Sequence, residues 1–166
     1  MTTAVILSTA RTPIGRAFRG ALNDMRSPSL MAHSIRHAVE RAGIDGAEID
    51  DGVVGSVLNG GSAGMNLART ALLAAGLPIT VPGQTIDRQC SSGLMAVAIA
   101  AKQIAVDGMQ VVVAGGQDNV SSLQTQYMEW AARDIDAAVT AAAPAAYMPM
   151  LQTAEYVAKK YAVSRE

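Results

Sequence analysis

Short apolar runs alternate with helix-spaced patterns along this chain. Ala4–Ser8, Val53–Leu58, Gln84–Asp87 and Val111–Val113 predict strands, the last running into Gly115-Gly116. Leu30, Ile35, Ala38, Val39 and Ala42 fall on one face of a helix predicted over Leu30–Ala42, with Ser29 as its cap and Gly43 just past its end. Asn66–Ala75 predicts a second helix, stopped by Gly76 with Pro78 beyond. From Leu94 to Ala101 every residue is apolar, too long a run for an ordinary strand and rich in alanine. It predicts a helix covered on every face, since one apolar all round has no side to give to water. Strands alternating with helices predict an α/β domain with a largely parallel sheet. Gln117–Met150 shows no clear period and predicts a long irregular segment, followed by a helix over Thr153–Tyr161. Ser164-Arg165-Glu166 reads as the start of a further helix, so the chain is expected to be a fragment.

Bulk properties narrow this picture. The 166 residues suit one domain, and half of them are hydrophobic while only 16% are charged, so much of the chain is expected inside a core or an interface. A formal net charge of −1 gives no electrostatic pull toward nucleic acid or an anionic membrane. One cysteine allows no internal disulfide, which fits a reducing, cytoplasmic compartment. Ala4–Leu7 is too short for a signal-peptide core, and the uncharged stretch Ala137–Ala154 holds Pro144 and Pro149, which makes a poor membrane span.

The candidate chemistry centres on Cys90, placed where a strand turns into the N-terminus of the apolar helix, with Ser91, Ser92 and Gly93 leaving the approach uncrowded. Free N–H groups and a partial positive charge at a helix start favour a thiolate and can hold an oxyanion on an attacked carbonyl. The competing reading is a small buried hydrophobe. His33 and His37, spaced i and i+4, have no cysteine or carboxylate placed to join them and sit beside Arg36 and Arg41, so a solvated face is expected rather than a metal site. Asn59–Gly64 is glycine-rich before a helix, but its spacing fits neither phosphate-binding fingerprint and it holds no lysine. Met128, Met148 and Met150 either line an adaptable acyl pocket or fill gaps in packing; Met150 is the substrate-binding candidate.

Six landmarks then occur in one order: Ala10–Gly15 (ARTPIG), Asn66–Arg69 (NLAR), Ala75–Pro78 (AGLP), Asp87–Gly93 (DRQCSSG), Val112–Gly116 (VVAGG) and Thr153–Ala158 (TAEYVA). Together they resemble the thiolase family and span nearly the whole chain. The resemblance implies a layered α-β-α-β-α fold of two similar halves with the cysteine helix between two sheets. This chain would cover the first half, residues 1–118, plus the start of the substrate-covering loop domain, residues 119–166.

The resemblance also implies acyl transfer: Cys90 takes the acyl group of a 3-ketoacyl-CoA, acetyl-CoA leaves, and free CoA collects the shortened acyl chain. Biosynthetic members run the reverse condensation. CoA and acyl-CoA are then substrates, with no cofactor and no metal, and a homodimer or homotetramer is expected. Pro149, where acetoacetyl-CoA-type members often carry histidine, points to the degradative branch. Leu151 stands where glycine is usual, and Gln117-Asp118 replaces the familiar Met-Glu. The Gly-His-Pro histidine and the second cysteine of the family's other half do not occur in these 166 residues. The fragment alone is therefore expected to be inactive. Two alternatives stand beside the enzyme: a non-catalytic thiolase-like subunit completed by a partner chain, and a ketoacyl-synthase-type condensing enzyme, against which ARTPIG and RQCSSG weigh.

Overall fold

A computed structural model describes residues 3–166. The chain divides into two compact units, Met1–Thr125 and Gln126–Glu166. In the first, helix α1 (Ser27–Ala42) precedes strand β1 (Asp51–Gly55), α2 (Leu67–Ala74), β2 (Gly83–Ile86), α3 (Ser92–Ala105) and β3 (Val112–Gly116). The strands form one parallel sheet in the order β2-β1-β3, with Val53 opposite Gln84 on one side and Ala114 on the other. The α/β class and the parallel sheet are as predicted.

Side-chain direction along β1 sorts the layers. A Cβ on Gly52 would meet Leu72 of α2, whereas one on Gly55 would meet Ser92 at the start of α3. In β3, Gly115 faces Met31 of α1 and Gly116 faces Gly93 of α3. Hence α1 and α2 cover one face of the sheet and α3 the other. The core is built on the first of these faces, from Met31, Ile35, Val54, Leu67, Ala71, Leu72 and Val81. All five residues of β1 are buried, as a central strand covered on both faces requires.

Helix ends follow the local chemistry. Pro28 occupies the first turn of α1, where a missing N–H is harmless, so the helix starts at Ser27 rather than Leu30. Gly43 ends it in the left-handed region (φ 67°), its N–H bonded to Val39 O and Glu40 O. Asn66 caps α2, its Oδ1 accepting from Arg69 N while its Nδ2 donates to Gly83 O, which ties the helix start to β2.

Four expectations are corrected. Ala4–Ser8 is not a strand: it makes no ladder, and Val5, Ile6 and Leu7 are exposed. It is held by side chains of its surroundings, Ser8 Oγ donating to Ala38 O and Arg41 Nη1 to Thr9 O. β1 ends at Gly55 instead of Leu58, because the Asp118 carboxylate draws Val57 N and Leu58 N out of any ladder. Helix α3 is not covered on every face: Ala96 and Ala100 are buried against the sheet, but Leu94 is 74% exposed, since this chain supplies a sheet on one side only.

The fourth correction concerns Gln117–Met150, which is not irregular. Helix α4 runs Val120–Arg133 and α5 runs Ala137–Ala142. Asn119 Oδ1 accepts from Ser122 N at the start of α4, and Asp136 Oδ1 accepts from Ala138 N and Val139 N at the start of α5. In the second unit α6 spans Met150–Tyr161, beginning just after Pro149. Among the described residues, no helix is long and apolar enough to cross a membrane.

Candidate active site

Cys90 lies in the five-residue link between Ile86, the end of β2, and Ser92, the first residue of α3. Its side chain is free and exposed, which removes the buried-hydrophobe reading. The turn beneath it is bonded throughout. Asp87 Oδ1 accepts from Gln89 N at 2.7 Å, and Ser92 Oγ accepts from Arg88 N at 2.8 Å while donating to Gln89 O at 2.6 Å. Ser91 Oγ donates to Arg88 O. Thus Ser92, buried to 2% exposure, closes the turn, and Ser91 lies beside the thiol at the helix N-cap.

Gln89, immediately before the cysteine, takes φ 50° in the left-handed region, a conformation that costs a residue with a side chain about 1 kcal/mol or more. The surrounding bonds from Asp87 and Ser92 hold it there. The backbone therefore reverses sharply at Gln89 and offers Cys90 at the tip of the turn.

Glycines set the depth at which α3 begins. A Cβ on Gly55 would lie 2.2 Å from Ser92 C, and one on Gly116 would lie 2.8 Å from Gly93 Cα. No side chain fits between these backbones, so the first turn of α3 rests directly on the C-terminal ends of β1 and β3. The same end of the sheet is braced by Asp118, whose Oδ1 accepts from Ser56 Oγ, Val57 N and Leu58 N at 3.1, 2.9 and 2.8 Å. Asn119 adds bonds from Nδ2 to Asn23 O and Met25 O. Open parallel sheets place ligands beyond the carboxyl ends of their strands. Cys90 stands at that end.

At the opposite end of the sheet, Asp51 joins three elements. Its Oδ2 accepts from Gln84 Nε2 of β2 at 3.1 Å and from Gln103 Nε2 of α3 at 2.6 Å. Its neighbour Asp50 accepts from Gln110 N and Val111 N, and those two bonds, in that order, hold its carboxyl below the ordinary carboxylate range.

The other sequence candidates fall elsewhere. His33 and His37 stack edge-to-face with centroids 4.6 Å apart on the outer side of α1, and His37 Nδ1 pairs with Glu40 Oε2 at 3.1 Å. Gly61–Ala63 of the glycine-rich loop forms a single 3-10 turn whose Ser62 Oγ accepts from Ser27 N. Met150 opens α6 in the second unit and is 76% exposed. Sequence reasoning missed Asp118 and Gln89; a carboxylate two residues after Gly116 was visible, but its partners lie about sixty residues away.

Comparison with known proteins bears on this geometry. A family model, "Thiolase, N-terminal domain", matches residues 4–166. A 3-ketoacyl-CoA thiolase of Bacillus subtilis (strain 168) is 42% identical across the whole chain, and an acetyl-CoA acetyltransferase of Cupriavidus necator is 39% identical. The chain spans 42% and 44% of the lengths of these two relatives. The crystal structure of the Bacillus anthracis acetyl-CoA acetyltransferase superposes with a TM-score of 0.70 at 43% identity, covering 74% of this chain and 31% of that one.

Proposed function

Because the chain belongs to the thiolase family, we propose that it is the part of a CoA-dependent acyltransferase that presents the acyl-carrying thiol, Cys90. The observation that carries this reading is an exposed sulfur at a strand-to-helix turn, at the C-terminal end of a parallel sheet. The substrate class follows from the relatives' names, which specify 3-ketoacyl-CoA and acetyl-CoA chemistry.

In the thiolytic direction the Cys90 thiolate adds to the 3-keto carbon of the acyl chain. The C2–C3 bond breaks, its electron pair is protonated on C2, and acetyl-CoA leaves. The acyl group remains on Sγ as a thioester. Free CoA, as its thiolate, then displaces Cys90 and departs as the shortened acyl-CoA. Each step exchanges one thioester or carbon–carbon bond for another without a deep energy trap, the advantage of covalent catalysis by sulfur. The partial positive charge at the start of α3 favours charge that develops on a carbonyl oxygen held beside Cys90. Acid–base help comes from outside these residues, since no Gly-His-Pro histidine or second cysteine occurs in them.

Mass spectrometry of the protein after incubation with acetyl-CoA tests the assignment. An acetyl group on the peptide holding Cys90, absent in Cys90→Ala, is the expected result. Acetylation that persists in the variant, or thiolysis by a full-length Cys90→Ala enzyme, overturns it.

A second reading is a non-catalytic subunit completed by a partner chain. The intact mass of the native protein separates the two. A polypeptide of about 17.1 kDa supports the subunit, and one more than twice that supports the enzyme.

A further inference from the structure

We infer that Ser92 is a positioning residue for Cys90: its hydroxyl locks the strained Gln89 backbone, and through it the thiol, to the end of the sheet. The inference deepens the acyl-carrier reading of Cys90 and takes its purpose from it, but a different measurement decides it.

Ser92 meets both the sheet and the strained backbone. A Cβ on Gly55 would lie 2.2 Å from Ser92 C and 2.3 Å from Ser92 O, so its main chain has no room to move toward β1. Its side chain is 2% exposed and works in both directions. A hydroxyl has one proton to give and lone pairs to receive with. Here Oγ donates to Gln89 O at 2.6 Å and accepts from Arg88 N at 2.8 Å. Gln89 O takes a further bond, from Ser92 N at 3.0 Å. Three bonds to one anchored residue therefore bracket Gln89 on both sides.

What is fixed at Gln89 is fixed at Cys90. The Gln89 carbonyl and the Cys90 nitrogen belong to one planar peptide group. Holding that oxygen on Ser92 sets the direction in which the Cys90 Cα follows, and with it the base of the thiol side chain. The φ of 50° at Gln89 is the point at which this arrangement is under tension.

Asp87 is the other holder of this conformation, its Oδ1 accepting from Gln89 N at 2.7 Å. It is exposed, however, so water competes for that bond, whereas the bonds of the buried Ser92 hydroxyl are shielded. Without the hydroxyl, Gln89 relaxes toward negative φ and Arg88 N turns to water, carrying Cys90 away from the first turn of α3. Glycine takes positive φ without strain. A glycine at position 89 therefore repairs the loss of the Ser92 hydroxyl, which it would not do if Ser92 only filled space.

The rate at which iodoacetamide alkylates Cys90, followed by intact mass, tests the proposal on the 166-residue chain, because this small reagent needs no acid–base partner. Ser92→Ala should slow alkylation about fivefold or more, and the double variant Ser92→Ala/Gln89→Gly should return to within about twofold of the parent. Gln89→Val leaves Ser92 intact but puts a branched side chain at positive φ, and should also slow alkylation about fivefold. It decides the matter if Ser92→Ala does not fold. Asp51→Ala loses buried hydrogen bonds at the other end of the sheet, yet should alkylate within about twofold of the parent. A parent-like rate in Ser92→Ala or Gln89→Val overturns the proposal. So does a double variant as slow as Ser92→Ala, which leaves Ser92 a packing role, or equal slowing in Asp51→Ala, which assigns the effect to lost stability. Acetyl transfer from acetyl-CoA is read separately. If it fails in the parent while the alkylation pattern holds, the acyl-carrier reading falls and the positioning stands; the reverse outcome removes only Ser92.

Discussion

Gly116 and Gly93 touch backbone to backbone: a Cβ on Gly116 would stand 2.8 Å from the Gly93 Cα, while one on Gly93 would stand 3.6 Å from the Gly116 Cα. The asymmetry turns a shared contact into two different predictions. Gly93→Ala finds ordinary van der Waals room and gains helix propensity, so stability should change by less than about 1 kcal/mol. Gly116→Ala must push α3 off the sheet and should cost roughly 2–3 kcal/mol. Urea denaturation of the two variants reads the difference, and alkylation of Cys90 by iodoacetamide should slow only in Gly116→Ala.

Asp118 braces the end of the sheet where Cys90 stands. Asp118→Ala removes the acceptor of Ser56 Oγ, Val57 N and Leu58 N at once. Bonds to a charged acceptor are worth about 1.5–3 kcal/mol each in isolation, but water can reach this residue and replaces part of that. A net loss of about 2 kcal/mol is expected in denaturant unfolding. Asp118→Asn keeps an acceptor oxygen and should recover about half of it.

Asp51 is buried to 7% exposure and receives two side-chain amides, from Gln84 and Gln103, and the Gly52 N–H. Asp51→Ala strands those amides and should cost about 3 kcal/mol, against about 1 kcal/mol for Gln84→Ala, which leaves the shorter Gln103 bond intact. Equal losses in the two variants would show that the Gln84 bond carries the whole effect and that the Gln103 bond adds nothing.

Asp50 shapes the acid limb of stability. Its folded pKa lies below the ordinary value, because the Gln110 and Val111 N–H groups favour the charged form. The unfolded chain therefore binds the proton first as pH falls. The stabilisation is complete above the ordinary carboxylate pKa of about 3.9 and disappears as pH drops through the folded value. Asp50→Asn should flatten this part of the stability–pH curve while leaving the region above pH ~5 parallel to that of the parent. An unchanged acid slope would remove Asp50 from the account.

How much of this was legible beforehand depended on how local the cause was. The helix stops at Gly43 and Gly76 and the position of Cys90 before α3 follow from neighbours within a few residues, and they stand where the pattern put them, whereas Ser29 lies inside α1 instead of capping it. Helix α4 was legible and missed: Val120, Leu123, Tyr127 and Trp130 recur at helical spacing, and Asn119 precedes them as a cap. Two prolines downstream and many polar residues concealed that period. The end of β1 was not legible, because it is decided by Asp118 across about sixty residues. Ala4–Ser8 carries a strand's composition without a strand's partner, and composition alone does not supply one.

The outer flank of α3 shapes the behaviour of the chain in solution. Leu94 and Val97 are a helical turn apart and both face solvent, close to Cys90. Water-facing apolar pairs attract their like, and excluded salts strengthen that attraction. Chains should therefore cluster through this flank as concentration or sulfate rises, shielding the thiol as they do. Dilution and low salt should restore its reactivity, and Leu94→Ser should make that reactivity independent of both.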